Sequence, residues 1–457
     1  MAISNRTATT ATTGASAAAS LAVNKPTGTA AGDLLICLIS VNNGSSCTIT
    51  TLSGWTLFQR NNNTTVLGQG IYYRVADGTE GSSFTWSFTS EFASIVCTAY
   101  TGVDNKNPFA GFSVLAKTTA STSATFGATI PQAETCYGVL CITGRNTTAS
   151  TTLTTAGSYT IDGQTTTTAT DFITACIADQ HATYGLPLAS VTPTSLTFST
   201  TSTDYDTVIF LRPDISTVQT LQTDVCTYAE TLTSPVTTLK FGTGYANEWV
   251  FALIADDGAG TFSGTTTVTG TTLSWTLLGR ANSASVIAGS AEVWYAKATT
   301  PLAFNSESVT VTPSTASSVT NVSIVSFINS FGAGTFVANE VASGTPSQAL
   351  TTTKNLSWVW ACLFDTTNNT APTLGGSQTL VQDYLPTGEG FWAWRETAQT
   401  TAHGTAVTLN ATAPTAIDYA ILVFEVLFAN PIGADVMNLN NTLGANISQS
   451  VNRAGTY

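Results

Sequence analysis

Asp33-Leu-Leu-Ile-Cys-Leu-Ile-Ser40 is a nearly unbroken apolar run, and the segments after it decide the fold. Gly54-Trp-Thr-Leu-Phe-Gln-Arg60, Ile71-Tyr-Tyr-Arg-Val-Ala76, Phe84-Thr-Trp-Ser-Phe88 and Ala93-Ser-Ile-Val-Cys-Thr-Ala-Tyr100 follow in turn. Asn42-Asn-Gly44, Asn61-Asn-Asn63 and Asp77-Gly78 separate them as turn-formers. Short runs rich in Val, Ile, Tyr, Phe, Trp and Thr, recurring at intervals of about 8 to 12 residues between Gly, Asn and Asp, are the pattern of an antiparallel sandwich or barrel. Gly32 to Asp104 therefore reads as one β-sandwich module.

The same order of elements returns three times. Tyr137-Gly-Val-Leu-Cys-Ile142, Gly157-Ser-Tyr-Thr-Ile161, Phe172-Ile-Thr-Ala-Cys-Ile177 and Tyr205-Asp-Thr-Val-Ile-Phe-Leu211 form a second copy without tryptophans. Glu248-Trp-Val-Phe-Ala-Leu-Ile254, Ser274-Trp-Thr-Leu-Leu-Gly-Arg280 and Val293-Trp-Tyr-Ala-Lys297 form a third. Trp358-Val-Trp-Ala-Cys-Leu363, Gln378-Thr-Leu-Val381, Gly390-Phe-Trp-Ala-Trp-Arg395 and Tyr419-Ala-Ile-Leu-Val-Phe424 form a fourth. Trp55 recurs as Trp275 at the spacing at which Phe172 recurs as Trp392, so copies one and two make a pair that copies three and four duplicate. Repetition of this kind redefines the fold. The expectation is an all-β chain of tandem antiparallel β-sandwich, jelly-roll-like domains: 1–108 with an N-terminal edge strand, 109–213, 214–330 and 331–430. Residues 431–457 lose the strand pattern and read as an extended C-terminal arm that orders against a neighbour. The pattern leaves open whether each half is one large sandwich or two small ones.

Composition narrows the function classes. Charged residues are only 9% of the 457, yet hydrophobic residues reach 43%, with 9 Trp, 13 Tyr and 21 Phe. That aromatic supply builds cores and argues against disorder. No apolar run approaches the roughly 18 to 20 residues that span a membrane, so no membrane insertion is expected. A formal net charge of −13 lacks the basic footprint that nucleic acid requires. Met1 to Arg6 is not followed by a sustained apolar core, so it is not a Sec signal of the usual kind; assembly inside a host cell followed by lysis is one alternative route.

The eight cysteines include no CxxC pair. Cys37, Cys97, Cys141, Cys176 and Cys362 lie within apolar runs, where a free thiol acts as a small buried hydrophobe. Cys37 to Cys97 is the one disulfide within a module that merits a test, and reduced thiols suit cytoplasmic assembly.

Lys25-Pro-Thr-Gly-Thr-Ala-Ala-Gly-Asp-Leu-Leu-Ile36, followed by Gly54-Trp-Thr-Leu57, Tyr72-Tyr-Arg-Val75, Phe84-Thr-Trp86, Ala99-Tyr-Thr-Gly-Val-Asp104 and Asn107-Pro108, resembles a module that recurs in structural proteins of tailed phages and in some bacterial surface proteins. The resemblance covers roughly residues 20–213 well and 218–430 loosely. The second half lacks the Lys-Pro-Thr-Gly-Thr lead and carries Ser274 where the first has Gly54. The resemblance implies a virion protein of the tail-fibre, head-fibre or capsid-decoration type, without a cofactor. Flat, low-charge, Thr-rich sheets can pack against copies of themselves, so a homo-oligomer is expected, and the C-terminal arm calls for a partner among other virion proteins. The resemblance adds that trimers are common in phage fibres.

Candidate chemistry is sparse. His181 and His403 occupy related places in copies two and four and read as solvent-exposed loop or strand-end residues. No GxSxG, HExxH, GK[ST] or GxGxxG occurs. Asp256-Asp257 and Glu389 are the nearest approach to the carboxylate pair of a polysaccharide depolymerase, which would stand roughly 5 to 9.5 Å apart. Asp256-Asp257 lacks the further oxygens that Ca²⁺ demands. Trp392 and Trp394 alternate with Ala393 beside Arg395 and near Glu389, which makes them the sharpest candidate for stacking host-surface glycans in an adhesin. The plain reading of the same stripe is core, because Trp55, Trp86, Trp275 and Trp294 fall at equivalent or strand-interior positions of the repeats.

Overall fold

The apolar run that opens each repeat becomes the central strand of a sheet. In the computed structural model, residues 2–429 are described apart from 156, 169, 217, 219, 259–265, 283–288 and 314–316, and every pairing among the named strands is antiparallel. The expected C-terminal arm lies outside the described residues.

The first sandwich comprises β1 (Ser4–Asn5), β2 (Thr9–Thr12), β3 (Ala18–Asn24), β4 (Leu34–Asn42), β5 (Ile49–Thr50), β6 (Thr56–Asn63), β7 (Leu67–Val75), β8 (Ser83–Glu91) and β9 (Ala93–Thr101). Its large sheet runs β1-β9-β4-β7-β6, with β2 also on β9, and its small sheet runs β3-β8-β5. The N-terminal segment thus supplies edge strands to both layers.

The second sandwich comprises β10 (Phe109–Ala124), β11 (Cys136–Asn146), β12 (Leu153–Thr154), β13 (Tyr159–Thr166), β14 (Phe172–Tyr184) and β15 (Leu196–Leu211). The order is β10-β15-β11-β14-β13, with β12 on the start of β15. Here β10 and β15 are long enough to serve both layers.

The third comprises β16 (Gln222–Thr231), β17 (Val236–Thr237), β18 (Glu248–Gly258), β19 (Thr267–Gly270), β20 (Thr276–Ala281), β21 (Ser290–Ala298), β22 (Val309–Thr312) and β23 (Ser317–Ile328). The fourth comprises β24 (Ser330–Gly344), β25 (Ser347–Thr351), β26 (Trp358–Asp365), β27 (Thr373–Leu374), β28 (Gln378–Tyr384), β29 (Gly390–Glu396), β30 (Ala406–Ala413) and β31 (Ile417–Phe428). Their large sheets are β16-β23-β18-β21-β20 and β24-β31-β26-β29-β28; their small sheets are β17-β22-β19 and β25-β30-β27. Counted from its own first strand, each of these two sandwiches places strands 1-8-3-6-5 in one sheet and 2-7-4 in the other. This is jelly-roll winding with the fifth strand hairpinned onto the sixth.

The large sheets are buried on both faces. Along a strand, alternate side chains point to opposite faces. Leu35, Cys37 and Ile39 pack inward against Trp55, Tyr72 and Trp86. Leu34, Ile36 and Leu38 pack outward against Val139, Cys141 and Ile177 of the second sandwich. Every residue of β4 is buried as a result, whereas β8 in the small sheet alternates exposed and buried. A strand buried on both faces reads as a continuous apolar run, and here two antiparallel sheets back to back produce it.

The second half repeats the arrangement, with Phe251, Leu253, Val325 and Phe327 against Trp360, Phe364, Leu422 and Phe424. Each half is therefore two sandwiches joined along a seam. The halves also touch each other. Phe304 lies 5.5 Å from Phe109 and 6.0 Å from Phe58 between ring centroids, and the Leu188 N–H donates to the Val381 carbonyl at 2.7 Å.

Candidate functional site

Strand alternation decides the fate of the predicted glycan platform. On β29, Trp392 and Trp394 face the interior of the fourth sandwich among Val359, Leu363, Leu409 and Val423, where they are 2% and 0% exposed. The Trp394 indole N–H donates to Gln378 Oε1 at 2.9 Å. Arg395 is on the opposite face of the strand. Its guanidinium stacks 4.2 Å from the centre of Trp358 and pairs with Glu134 of the second sandwich at 3.1 Å. Glu389 stands before β29 at the seam. The four residues do not converge, and neither indole presents a ring face to solvent. The core reading of the stripe describes these positions.

The structure does bring Asp257 to Glu389. Both Asp256 and Asp257 lie within β18, not in a loop after it, and point opposite ways. Asp256 accepts from Thr320 Oγ1 at 2.9 Å inside the third sandwich. Asp257 reaches the seam and shares a hydrogen bond with Glu389. Burial first, and then the Asp257 charge, push the Glu389 carboxyl up to about 7. Two carboxyls that share a proton in direct contact are closer than the roughly 5 to 9.5 Å that glycoside hydrolysis uses. As placed, the pair is a hydrogen-bonded contact across the seam and leaves no room for a scissile bond.

A second carboxyl pair escaped the sequence reading. Asp162 on β13 and Asp179 on β14 meet where Asn5 Nδ2 donates to Asp162 at 2.5 Å and the Tyr100 hydroxyl donates to it at 3.2 Å. Burial and the neighbouring Asp179 raise Asp162 to about 8. Nothing in the local sequence marks it, because Asp162 sits at a register shift between Ile161 and Gly163 that re-aims its side chain.

The junction between the halves is also ionic. Arg212, 1% exposed, donates to Asp224 Oδ1 at 2.7 Å and to the Asp224 carbonyl at 3.0 Å. Asp104 and Glu248 stand in the same cluster, and burial with the Asp224 charge pushes the Glu248 carboxyl well up. Asn107 Nδ2 donates to the Gly242 carbonyl at 2.8 Å. Asp104 and Asn107 close the first repeat, and here they bridge consecutive halves.

The acid that opens each first repeat has a comparable local task. Asp33 accepts from the Ala30 N–H at 2.9 Å and pairs with Arg6 at 3.0 Å, while Glu248 accepts from the Tyr245 N–H at 2.7 Å. Each fixes the turn that leads into the central strand.

His403 is exposed, and its backbone N–H donates to Asn355 Oδ1 at 2.8 Å; His181 falls within β14. Among the described residues, no group of three or more His, Cys, Asp or Glu is placed to hold a metal ion. Comparison with protein-family models, with curated proteins and with solved structures finds no match for this chain.

Proposed function

We propose that this chain is a non-catalytic structural component of a bacteriophage particle, a fibre, spike or capsid decoration, that acts by assembly and surface binding. The fourfold array of one jelly-roll-like unit carries this reading. Two buried seams and an ionic junction hold four copies in fixed relation; Trp392 and Trp394 are enclosed in the core of the fourth sandwich, and the Asp257–Glu389 pair is committed to a seam. A repeated scaffold of this kind presents loops at many places on a stable frame. The motif from Lys25 to Pro108 supports the phage assignment by resemblance. On this reading the chain assembles in the host cytoplasm as a homo-oligomer, a trimer if it is a fibre, and residues 431–457 engage other virion proteins. A role in host attachment through glycans would fall to loops, since Trp392 and Trp394 are enclosed.

The test is the particle itself. Purified virions should contain the chain in a copy number set by capsid or tail symmetry, and a cryo-EM map should place its paired sandwiches on the particle surface. Recovery only as free protein, with none in washed particles, overturns the proposal.

A further inference from the structure

We propose that Cys37 and Cys97 are a latent disulfide of the first sandwich, closed when the chain folds in an oxidising medium. The two residues are direct partners across β4 and β9, both are 0% exposed, and both side chains lie in the core of the first sandwich.

Register gives them suitable geometry. The Asn42 N–H donates to the Phe92 carbonyl at 3.1 Å, which makes 42 and 92 a hydrogen-bonded pair. Pairs alternate along an antiparallel ladder, so Cys37 and Cys97 form a non-hydrogen-bonded pair. The other flanks agree. Ala76 N–H bonds to Asp33 on the β7 side, and Thr13 N–H bonds to Ala93 on the β2 side, which turns the Cys37 and Cys97 backbone groups away from each other. Such pairs have Cα atoms about 4.5 Å apart, within the roughly 4.4–6.8 Å range of disulfides.

The repeats supply a built-in control. Leu34 pairs with Tyr100 as Tyr137 pairs with Leu211, Trp249 with Phe327 and Trp358 with Val426. Counting inward from these anchors, the places of Cys37 and Cys97 are taken by Leu140 and Val208, by Ala252 and Ile324, and by Ala361 and Val423. Apolar packing alone fills the position in three sandwiches. In the first, both partners are thiols.

Closure consumes a disulfide oxidant of the glutathione class. One cysteine thiolate attacks a sulfur of the oxidant, releasing one reduced thiol and leaving a mixed disulfide. The second cysteine thiolate then attacks the protein sulfur of that mixed disulfide and expels the second reduced thiol. Two protein thiols lose two protons and two electrons, and the oxidant gains them. Burial pushes the Cys37 thiol well up, so the folded protein offers little thiolate. The reaction therefore belongs to folding, before Trp86 of the small sheet closes over β4.

The experiment refolds the full chain from urea in a glutathione disulfide buffer, then unfolds it again and alkylates the remaining thiols. Mass spectrometry should show two fewer alkylated cysteines than the eight of the reduced chain, with a peptide linking Cys37 to Cys97. The oxidised protein should unfold at higher urea than the reduced one, and Cys97→Val, which copies the residue of two other sandwiches, should fold and abolish that difference. Eight alkylated thiols after oxidative refolding, or a crosslink between any other pair, overturns the proposal.

Discussion

The two seams share one architecture and differ in chemistry. In the first half, Gln69 is fully buried at the seam. Its amide nitrogen donates to the Cys141 and Tyr205 carbonyls, each at 3.1 Å, and its oxygen accepts from Asn61 and Thr207, each at 2.7 Å. In the second half the seam is aromatic. Phe251 stacks on Phe424 at 5.3 Å, Phe327 meets Trp360 edge-on at 5.2 Å, and Phe364 stacks on Phe391 at 5.0 Å. The counterpart of Gln69 there is Gln382, which accepts from the Ser323 hydroxyl at 2.8 Å. Directional bonds penalise misregister at the first seam, because any slip strands buried polar groups. Apolar area holds the second, and tight packing does the aligning.

The contrast can be broken most forcefully at Trp360. Trp360→Ala should cost about 3–5 kcal/mol, seen as a lower urea midpoint of the second half, because the ring leaves a cavity between two sheets. A first-half transition that moves equally would show the halves to unfold as one unit.

Next in size is Gln69→Ala, which removes the hub and leaves several buried groups without partners, at about 2–3 kcal/mol. Amide hydrogen exchange should rise in β7 and β11 and stay unchanged in β26. Unchanged exchange in β11 would deny Gln69 its role across the seam.

Acid–base behaviour unites the two seams. Asp162 binds its proton up to about pH 8 when folded and only to its ordinary 3.8 when unfolded; Glu389 does so to about 7 against 4.5. Between these limits the folded state holds more protons, so the stabilisation is complete in acid and falls as pH rises through the folded values. Thermal midpoints at constant ionic strength should decline from pH 4.5 to 8.5. Asp162→Asn should flatten the decline in the first half and Glu389→Gln in the second; slopes that match wild type would rule these carboxyls out as its source.

The smallest effect should come from Gln382→Leu, below about 1 kcal/mol, because its amide nitrogen already lacks a hydrogen-bond partner and only the Ser323 bond is lost. A loss as large as that of Gln69→Ala would erase the contrast between seams.

Much of this architecture was legible in residue order. The Asp33 to Ser40 run, the recurring Trp-Thr-Leu at Trp55 and Trp275, and the Tyr72-Tyr73 strand identified the repeated sandwich. The back-to-back seams were not legible, since a run buried on both faces does not say what covers either face. The Trp392/Trp394 stripe carried two readings for a related reason: alternation assigns two rings to one face without saying whether that face looks at solvent or at a second sheet. Asp257 and Glu389 come from different sandwiches, and their meeting depends on how the large sheets stack, which no local pattern encodes.

Ser40 and Thr143 hold equivalent places in β4 and β11, six residues beyond Leu34 and Tyr137, and their hydroxyls bond to each other at 2.7 Å across the seam. Contact between equals is what a two-fold axis produces, as at the interface of a symmetric dimer. Here both partners belong to one polypeptide, so their association is intramolecular and independent of concentration. Dilution, which separates a dimer built the same way, leaves this pair together.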